Sequence, residues 1–119
     1  MTALVVDSSD MMRYILRRIL SMRGFDVEEA RDAQQAQGIL HRIGEADVVL
    51  VDWDPSAMDS LQLVSHLRKH STLVIMMLSA QPGVREMQDA LSAGANDFLV
   101  KPFNSMQITK KLASAGFAA

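Results

Sequence analysis

Short apolar runs alternate with amphipathic stretches along the chain, and this alternation predicts an α/β fold. The apolar runs predict five strands, at residues 3–6, 25–30, 48–51, 73–78 and 97–100. The other stretches place apolar residues at helical spacing and predict five helices, at residues 9–22, 32–43, 61–69, 84–93 and 105–115. Strands joined by single helices need right-handed crossovers, so we expect a doubly wound, five-stranded parallel sheet with helices on both faces.

Local residue choices refine these predictions. Glycines favour helix ends at Gly24, Gly44 and Gly94, and Asp32 is a candidate N-cap for the second helix. The strand at 25–30 is the most polar, which suits a sheet edge, and we expect the tail at 116–119 to fray. The helical spacing predicts these residues to face inward in the first and fourth helices: Met12, Ile15, Leu16, Ile19, Leu20, Met87, Ala90 and Leu91.

Length and composition limit the class of protein. At 119 residues and 13.1 kDa the chain suits one domain, residues 1–119, with a substantial core. A net charge of −2 argues against nucleic acid as the main partner. The absence of cysteine excludes disulfides and thiolate zinc sites. We see no signal peptide, and the longest apolar run is too short to cross a membrane, so we expect no membrane partner and a cytoplasmic location.

Chemically reactive side chains stand at the ends of the predicted strands. Asp7 follows the first strand, Asp52 the third, Ser79 the fourth and Lys101 the fifth. The carboxyl ends of parallel strands meet at one edge of the sheet, where open α/β folds build their sites. We therefore expect two carboxylates, a hydroxyl and an ammonium to converge there. Such a group of side chains suits phosphoryl chemistry with a divalent cation.

Taken together, the motifs resemble the receiver domain of two-component response regulators, over the whole chain. The matching motifs, in order, are Val5-Val6-Asp7, Asp52 with Met58-Asp59 after it, Leu78-Ser79-Ala80, Gly94-Ala95 and Lys101-Pro102-Phe103. The resemblance implies a flavodoxin-like (βα)5 fold. The Asp52-Trp53 pair and the lack of an output domain resemble the single-domain, chemotaxis-type members of the family.

The resemblance also implies a function for the strand ends. Asp52 would be the phosphoacceptor, receiving its phosphoryl group from a histidine kinase or a histidine phosphotransferase. Mg²⁺ would be the cofactor, bound by the carboxylates of Asp7 and Asp52 and by the backbone carbonyl of Asp54. Lys101 and the hydroxyl of Ser79 would contact the phosphoryl group.

The resemblance further implies how the signal leaves the domain. Ala80 is small, as phosphate access requires. Ser79 and Phe98 would form the switch. Helical spacing places Met106 on the outer face of the last helix, where it is a candidate, with Phe98, for a partner surface. With no output domain, the function would run through protein contacts, and we expect a monomer or a weak dimer.

Several residues depart from the family pattern. Ser8 stands where a second acidic residue usually contacts the metal, so we expect weaker Mg²⁺ binding unless Asp54 or Asp10 compensates. The segment after the phosphoacceptor contains Pro55-Ser56 instead of Met-Pro, and Ser60 replaces the usual glycine. The switch aromatic is Phe98, where tyrosine is common.

Other interpretations stay open. Asp52 alone could cap a turn. The departures from the pattern also allow an atypical receiver that binds a partner protein without phosphorylation. The segment 52–56 resembles the first motif of haloacid-dehalogenase-type phosphatases, but the further acidic metal ligand of those enzymes has no candidate after Lys101. We therefore do not expect an enzyme.

Two groups of polar residues have less specific interpretations. Arg13, Arg17 and Arg18 predict a basic stripe on the first helix. We interpret it as a solvated face, with docking of a kinase or phosphotransferase, which the resemblance implies for this helix, as the alternative. The three histidines, His41, His66 and His70, show no ligand spacing with other candidate ligands. We interpret them as surface residues.

Overall fold

The computed structural model describes residues 1–53, 59–80 and 83–117. Strands and helices alternate in the predicted order: β1 (Thr2–Val6), α1 (Asp10–Met22), β2 (Asp26–Ala30), α2 (Ala33–Ile43), β3 (Val48–Asp52), α3 (Asp59–His70), β4 (Val74–Ser79), α4 (Val84–Ala93), β5 (Asp97–Val100) and α5 (Ser105–Ser114). Each predicted element is present, with its ends displaced by two residues or fewer. Within the described ranges, no helix is long and apolar enough to cross a bilayer.

All five strands are parallel and lie in the order β2-β1-β3-β4-β5. This is the flavodoxin-like doubly wound arrangement that the sequence predicts, with β2 at an edge. The chain reverses its direction of winding between β1 and β3, the point where such folds form their sites. Val6 is level with Val51, Asp52 with Leu78, and Ser79 with Val100. The polar residues at these strand ends therefore share one edge of the sheet.

Alternating strand residues build a hydrophobic core on each face of the sheet. One core joins Val5 and Leu50 to Leu16 of α1 and Ile108 of α5. The other core lies under α2, α3 and α4. Its fully buried members include Leu4, Val49, Leu63, Val64 and Ala90. Because both faces are covered, the central strands β1, β3 and β4 are apolar except at their ends, as buried parallel strands usually are.

Side-chain caps fix the starts of the first two helices. Ser9 is the N-cap of α1 and accepts a hydrogen bond from the backbone N of Met12 at 3.1 Å. Asp32 caps α2 in the same way through the backbone N of Gln35 at 2.9 Å. Each helix therefore begins one residue later than predicted, because its first predicted residue is the cap.

Three predictions about packing are wrong. Ile15 and Leu91 were expected to face inward but are 39% and 51% exposed. Ile15 is next to buried Leu16, and Leu91 is next to buried Ala90. Successive helix residues point about 100° apart, and only one side of each helix packs on the sheet, so these neighbours point away from it. Phe117, in the tail that was expected to fray, is ordered by two contacts. Its ring packs edge-on against Phe25, with the ring centroids 5.5 Å apart, and its backbone N donates a hydrogen bond to Leu112 O at 2.9 Å.

The predicted solvated basic stripe is also wrong for Arg13, which is only 9% exposed. Arg13 and Arg17 of α1 both pair with Glu29 on β2, at 3.4 and 2.5 Å. On the other face of the same strand, Glu28 pairs with Arg42 of α2 at 3.3 Å. The edge strand is therefore held by arginines of the helices that cover its two faces.

Candidate functional site

Three charged side chains from three strand ends meet at the carboxyl edge of the sheet. The Lys101 Nζ, just after β5, lies 2.5 Å from Asp52 Oδ1 at the end of β3. The same nitrogen lies 3.3 Å from Asp7 Oδ2, just after β1. The structure therefore brings together Asp7, Asp52 and Lys101, which the sequence predicts to converge. Their formal charges sum to −1 when all three are ionised.

Ser79 ends β4, between the strands that carry Asp52 and Lys101. It is buried, and its backbone oxygen accepts a hydrogen bond from the backbone N of Lys101 at 2.8 Å. On the other side, the backbone N of Trp53 donates to Leu78 O at 2.8 Å. These two bonds continue the hydrogen bonding of β4 with its neighbours one residue past the ends of β3 and β5. Ala80 follows Ser79 and is exposed at the same edge.

Electrostatics keep Lys101 in its charged form. Burial alone would lower its pKa, but hydrogen bonds and charge attraction with Asp52 and Asp7 outweigh burial and raise the pKa above its ordinary value. A raised lysine pKa stabilises the fold at all pH values below the unfolded-state pKa. That stability is lost only as the pH rises through the folded-state pKa, in the alkaline range. Lys101 is therefore an ammonium at neutral pH.

The donor set at this edge fits a hydrated divalent cation. Asp7, Ser8 and Asp52 line a cavity of about 200 Å³. Mg²⁺ commonly uses one or two protein carboxylates and completes its shell with water and phosphate oxygens. Within residues 1–53, 59–80 and 83–117, no three histidine or acidic residues are gathered closely enough to hold a metal. The edge therefore resembles an open site of two carboxylates, and Asp54, the third predicted ligand, lies outside the described residues.

Asp10 does not take the place of the carboxylate that Ser8 lacks. Its side chain is exposed on α1 and pairs with the guanidinium of Arg13. Asp7, by contrast, is buried, and its Oδ1 accepts a hydrogen bond from the backbone N of Ser9 at 2.8 Å. Compensation by Asp10 would require it to leave Arg13.

Two residues with no predicted role at the site contact the backbone of its acidic residues. Arg13 Nη1 donates to the carbonyl oxygen of Asp7 at 2.6 Å. Ser60 Oγ donates to the carbonyl oxygen of Asp52 at 2.9 Å. In the sequence, the only signal for Ser60 was its departure from the receiver pattern that the chain resembles, where glycine is usual. Nothing local in the sequence indicated the contact of Arg13.

Phe98, the predicted switch residue, lies inside the sheet-helix core. It sits on β5, level with Met77 of β4, and packs in the core under α2, α3 and α4. Its ring is buried in this structure. Met106 is on the exposed side of α5, as its position in the helix predicts. The two residues therefore do not form one continuous exposed patch in this arrangement.

Comparisons with known proteins agree with this geometry. A family described as "Response regulator receiver domain" matches residues 3–113. Over 116 residues, the chemotaxis protein CheY1 of Helicobacter pylori is 36% identical, with 94% of each chain covered. The chemotaxis protein CheY homolog of Campylobacter jejuni is 35% identical, covering 94% of this chain and 89% of its own. The structure of Vibrio cholerae chemotaxis protein CheY4 matches with a TM-score of 0.87 and 28% identity, covering 95% and 96% of the two chains.

Proposed function

Because the chain belongs to the response regulator receiver domain family, we propose that Asp52 accepts a phosphoryl group from a phosphohistidine of a partner protein. That partner would be a histidine kinase or a histidine phosphotransferase. The observation that carries the proposal is the position of the Lys101 ammonium, 2.5 Å from Asp52 Oδ1. A carboxylate beside a fixed cation at an open strand end can approach an anionic phosphoryl group that isolated carboxylates would repel.

The proposed step exchanges one bond to phosphorus for another. A carboxylate oxygen of Asp52 attacks the phosphorus, and the P–N bond of the phosphohistidine breaks with its electron pair staying on the imidazole. The product is an acyl phosphate on Asp52. Lys101 pairs with one phosphoryl oxygen, and the hydroxyl of Ser79 donates to another. A Mg²⁺ ion bound by Asp7 and Asp52, with a contribution from Asp54, would neutralise charge on the phosphoryl oxygens.

The proposed output runs through β5 and the helices beside it. Phosphorylation adds about −1.5 to −2 charges and three acceptor oxygens at the strand ends. Ser79 moves toward the new oxygens, and the ring of Phe98, already buried in the core, shifts toward the space that Ser79 leaves. The surface of α4, β5 and α5 then changes for a downstream protein partner. Val100 and Met106 are exposed apolar residues of that surface.

One observation favours a second candidate, an atypical receiver that binds partners without phosphorylation. Ser8 lies in the cavity beside Asp7 and Asp52 and contributes no carboxylate to it. A site without that charge would bind Mg²⁺ more weakly, and phosphorylation depends on the ion. A phosphatase of the haloacid-dehalogenase type is not favoured, since the chain has no acidic residue after Lys101.

Chemical phosphorylation tests the proposal. Tag-free protein incubated with acetyl phosphate and Mg²⁺ should gain the mass of one phosphoryl group, located on the peptide that contains Asp52 and removed by hydroxylamine. Asp52→Asn should abolish the gain. Asp47→Asn is the matched control, because Asp47 lies just before β3, at the opposite end of that strand from Asp52. Its Oδ2 accepts a hydrogen bond from the backbone N of Thr2 at 2.7 Å. Labelling that is absent in the wild type, or that persists in Asp52→Asn, would favour the second candidate.

Restoring a carboxylate at Ser8 should strengthen the metal site. We expect Ser8→Asp to lower the Kd for Mg²⁺ by about tenfold, which corresponds to about 1.4 kcal/mol, because it adds a charged oxygen beside Asp7 and Asp52. The fluorescence of Trp53, the only tryptophan and the neighbour of Asp52, can follow the titration.

The same substitution should lower stability without metal, because it brings a third negative charge to the edge. Ser92→Asp, which adds the same charge on the exposed face of α4, should leave Mg²⁺ binding unchanged. Equal titration curves for Ser8→Asp and the wild type would mean that another group already supplies the missing ligand.

A further inference from the structure

The three histidines of the chain line a single cavity, far from the acidic edge. The cavity measures about 240 Å³ and lies between α2 and α3. Its floor includes Ala46 and Leu73, which come just before β3 and β4. It therefore lies at the amino edge of the sheet, opposite the edge that carries Asp52. His41 enters the cavity from α2, and His66 and His70 enter it from α3.

His66 and His70 are one helical turn apart and hold their rings side by side. The ring centroids are 4.7 Å apart, and the ring planes are inclined by 55°. Two imidazoles that bind one metal ion at about 2.0–2.1 Å have centroids about 4.5–5.2 Å apart when the angle at the metal is about 90–109°. The observed separation lies in this range, so the backbone of α3 already holds the two rings at a spacing that one shared ion would allow.

The third imidazole lies across the cavity, on a different helix. His41 is in the last turn of α2, and Glu45, two residues after the end of that helix, also lines the cavity. The three histidines are exposed, so their rings can turn without unpacking the core. To share one ion with His66 and His70, the ring of His41 must turn toward them, because no three such ligands are gathered at metal-binding distance in the part of the chain that the structure describes.

We propose that His66, His70 and His41 form a binding site for a divalent late transition metal, such as Zn²⁺, Ni²⁺ or Cu²⁺, which joins α2 to α3. Neutral imidazoles suit these ions, whereas Mg²⁺ takes oxygen ligands. The site is therefore chemically distinct from the carboxylates of Asp7 and Asp52. Glu45 supplies an oxygen for a fourth position. The proposal does not depend on phosphorylation of Asp52.

Calorimetric titration of tag-free protein with Ni²⁺ and with Zn²⁺ tests the site. The titration is run at about pH 8, above the ordinary imidazole pKa, with excess Mg²⁺ to occupy the acidic edge. We expect one equivalent to bind and to raise the thermal unfolding temperature by several degrees. His66→Gln, His70→Gln and His41→Gln should each weaken binding by about tenfold or more, since even the loss of an outer-shell partner has effects of that size.

Lys69→Gln is the matched control. It changes an exposed residue between the two histidines of α3 that does not line the cavity, and it should bind the metal at least as tightly as the wild type. Circular dichroism of the metal-free variants establishes that each one folds. Absence of binding in the wild type, or unchanged affinity in the His66→Gln/His70→Gln double variant, would refute the site. Unchanged affinity in His41→Gln would refute the link between the helices.

Discussion

Replacing Lys101 by glutamine is expected to lower the free energy of unfolding at pH 7 by about 3 kcal/mol and to slow labelling of Asp52 by about a hundredfold. The side chains of Lys101 and Asp7 are only 20% and 1% exposed. Without the ammonium, two carboxylates remain close together, and one of them is buried without its counter-ion. A buried carboxylate without a counter-ion lowers the free energy of unfolding much more than the loss of a surface ion pair does. Phosphoryl transfer also loses the cation beside the attacking oxygen.

Urea unfolding and acetyl phosphate labelling measure the two effects of Lys101→Gln. Mg²⁺ should restore part of the lost stability, because a divalent cation can replace the missing positive charge. Lys111→Gln is the matched control: Lys111 pairs with Asp97 at 2.9 Å, but both side chains are 37% exposed. A pair of that kind is worth about 0–1 kcal/mol. If the two lysine variants lose equal stability, the burial of the Lys101 pair has no energetic role.

Replacing Arg13 by alanine is expected to lower the free energy of unfolding by about 3 kcal/mol, although the same helix carries two exposed arginines, Arg17 and Arg18. Its buried guanidinium donates to the carbonyl oxygen of Asp7 and pairs with Glu29. The substitution leaves that carbonyl without its donor and removes the packing of a long side chain.

Urea unfolding compares Arg13→Ala with Arg17→Ala. Arg17 also contacts Glu29, but it is about half-exposed, and its removal should cost about 1 kcal/mol or less. We also expect Arg13→Ala to weaken Mg²⁺ binding, since the segment that carries Asp7 and Ser8 loses a support, whereas Arg17→Ala should not. Equal losses in both variants would show that Arg13 is an ordinary surface residue.

The fold could be predicted from the sequence because its signals are local. Each buried strand is a short apolar run, and caps such as Ser9 and Asp32 lie within three residues of the groups they bind. The errors came from packing between distant segments. Ile15 has the spacing of a core residue, but whether it is buried depends on how α1 lies on the sheet. Phe117 packs on Phe25, which is far away in sequence.

The candidate site was also predictable only where its signals follow from the order of elements along the chain. Asp7, Asp52, Ser79 and Lys101 could be placed together because parallel strands end at one edge, so order along the chain implies proximity in space. The burial of Arg13 could not be predicted, because it depends on Glu29, which belongs to another strand. The cavity shared by the histidines was missed for a similar reason. His41 and His66 come from different helices, and their convergence follows only from the packing of α2 against α3.

The acidic pair on β2 has a consequence for how copies of this chain meet. An exposed sheet edge is a template on which a strand of another molecule can add, and uncontrolled addition leads to aggregation. Glu28 and Glu29 put negative charges on opposite faces of this edge, and arginines of α1 and α2 hold them there. A strand added to this edge would have to place its own side chains beside these paired glutamates and arginines, and charged side chains are one means by which proteins block such edges. We therefore expect β2 to be a poor template for a strand from another copy of the chain.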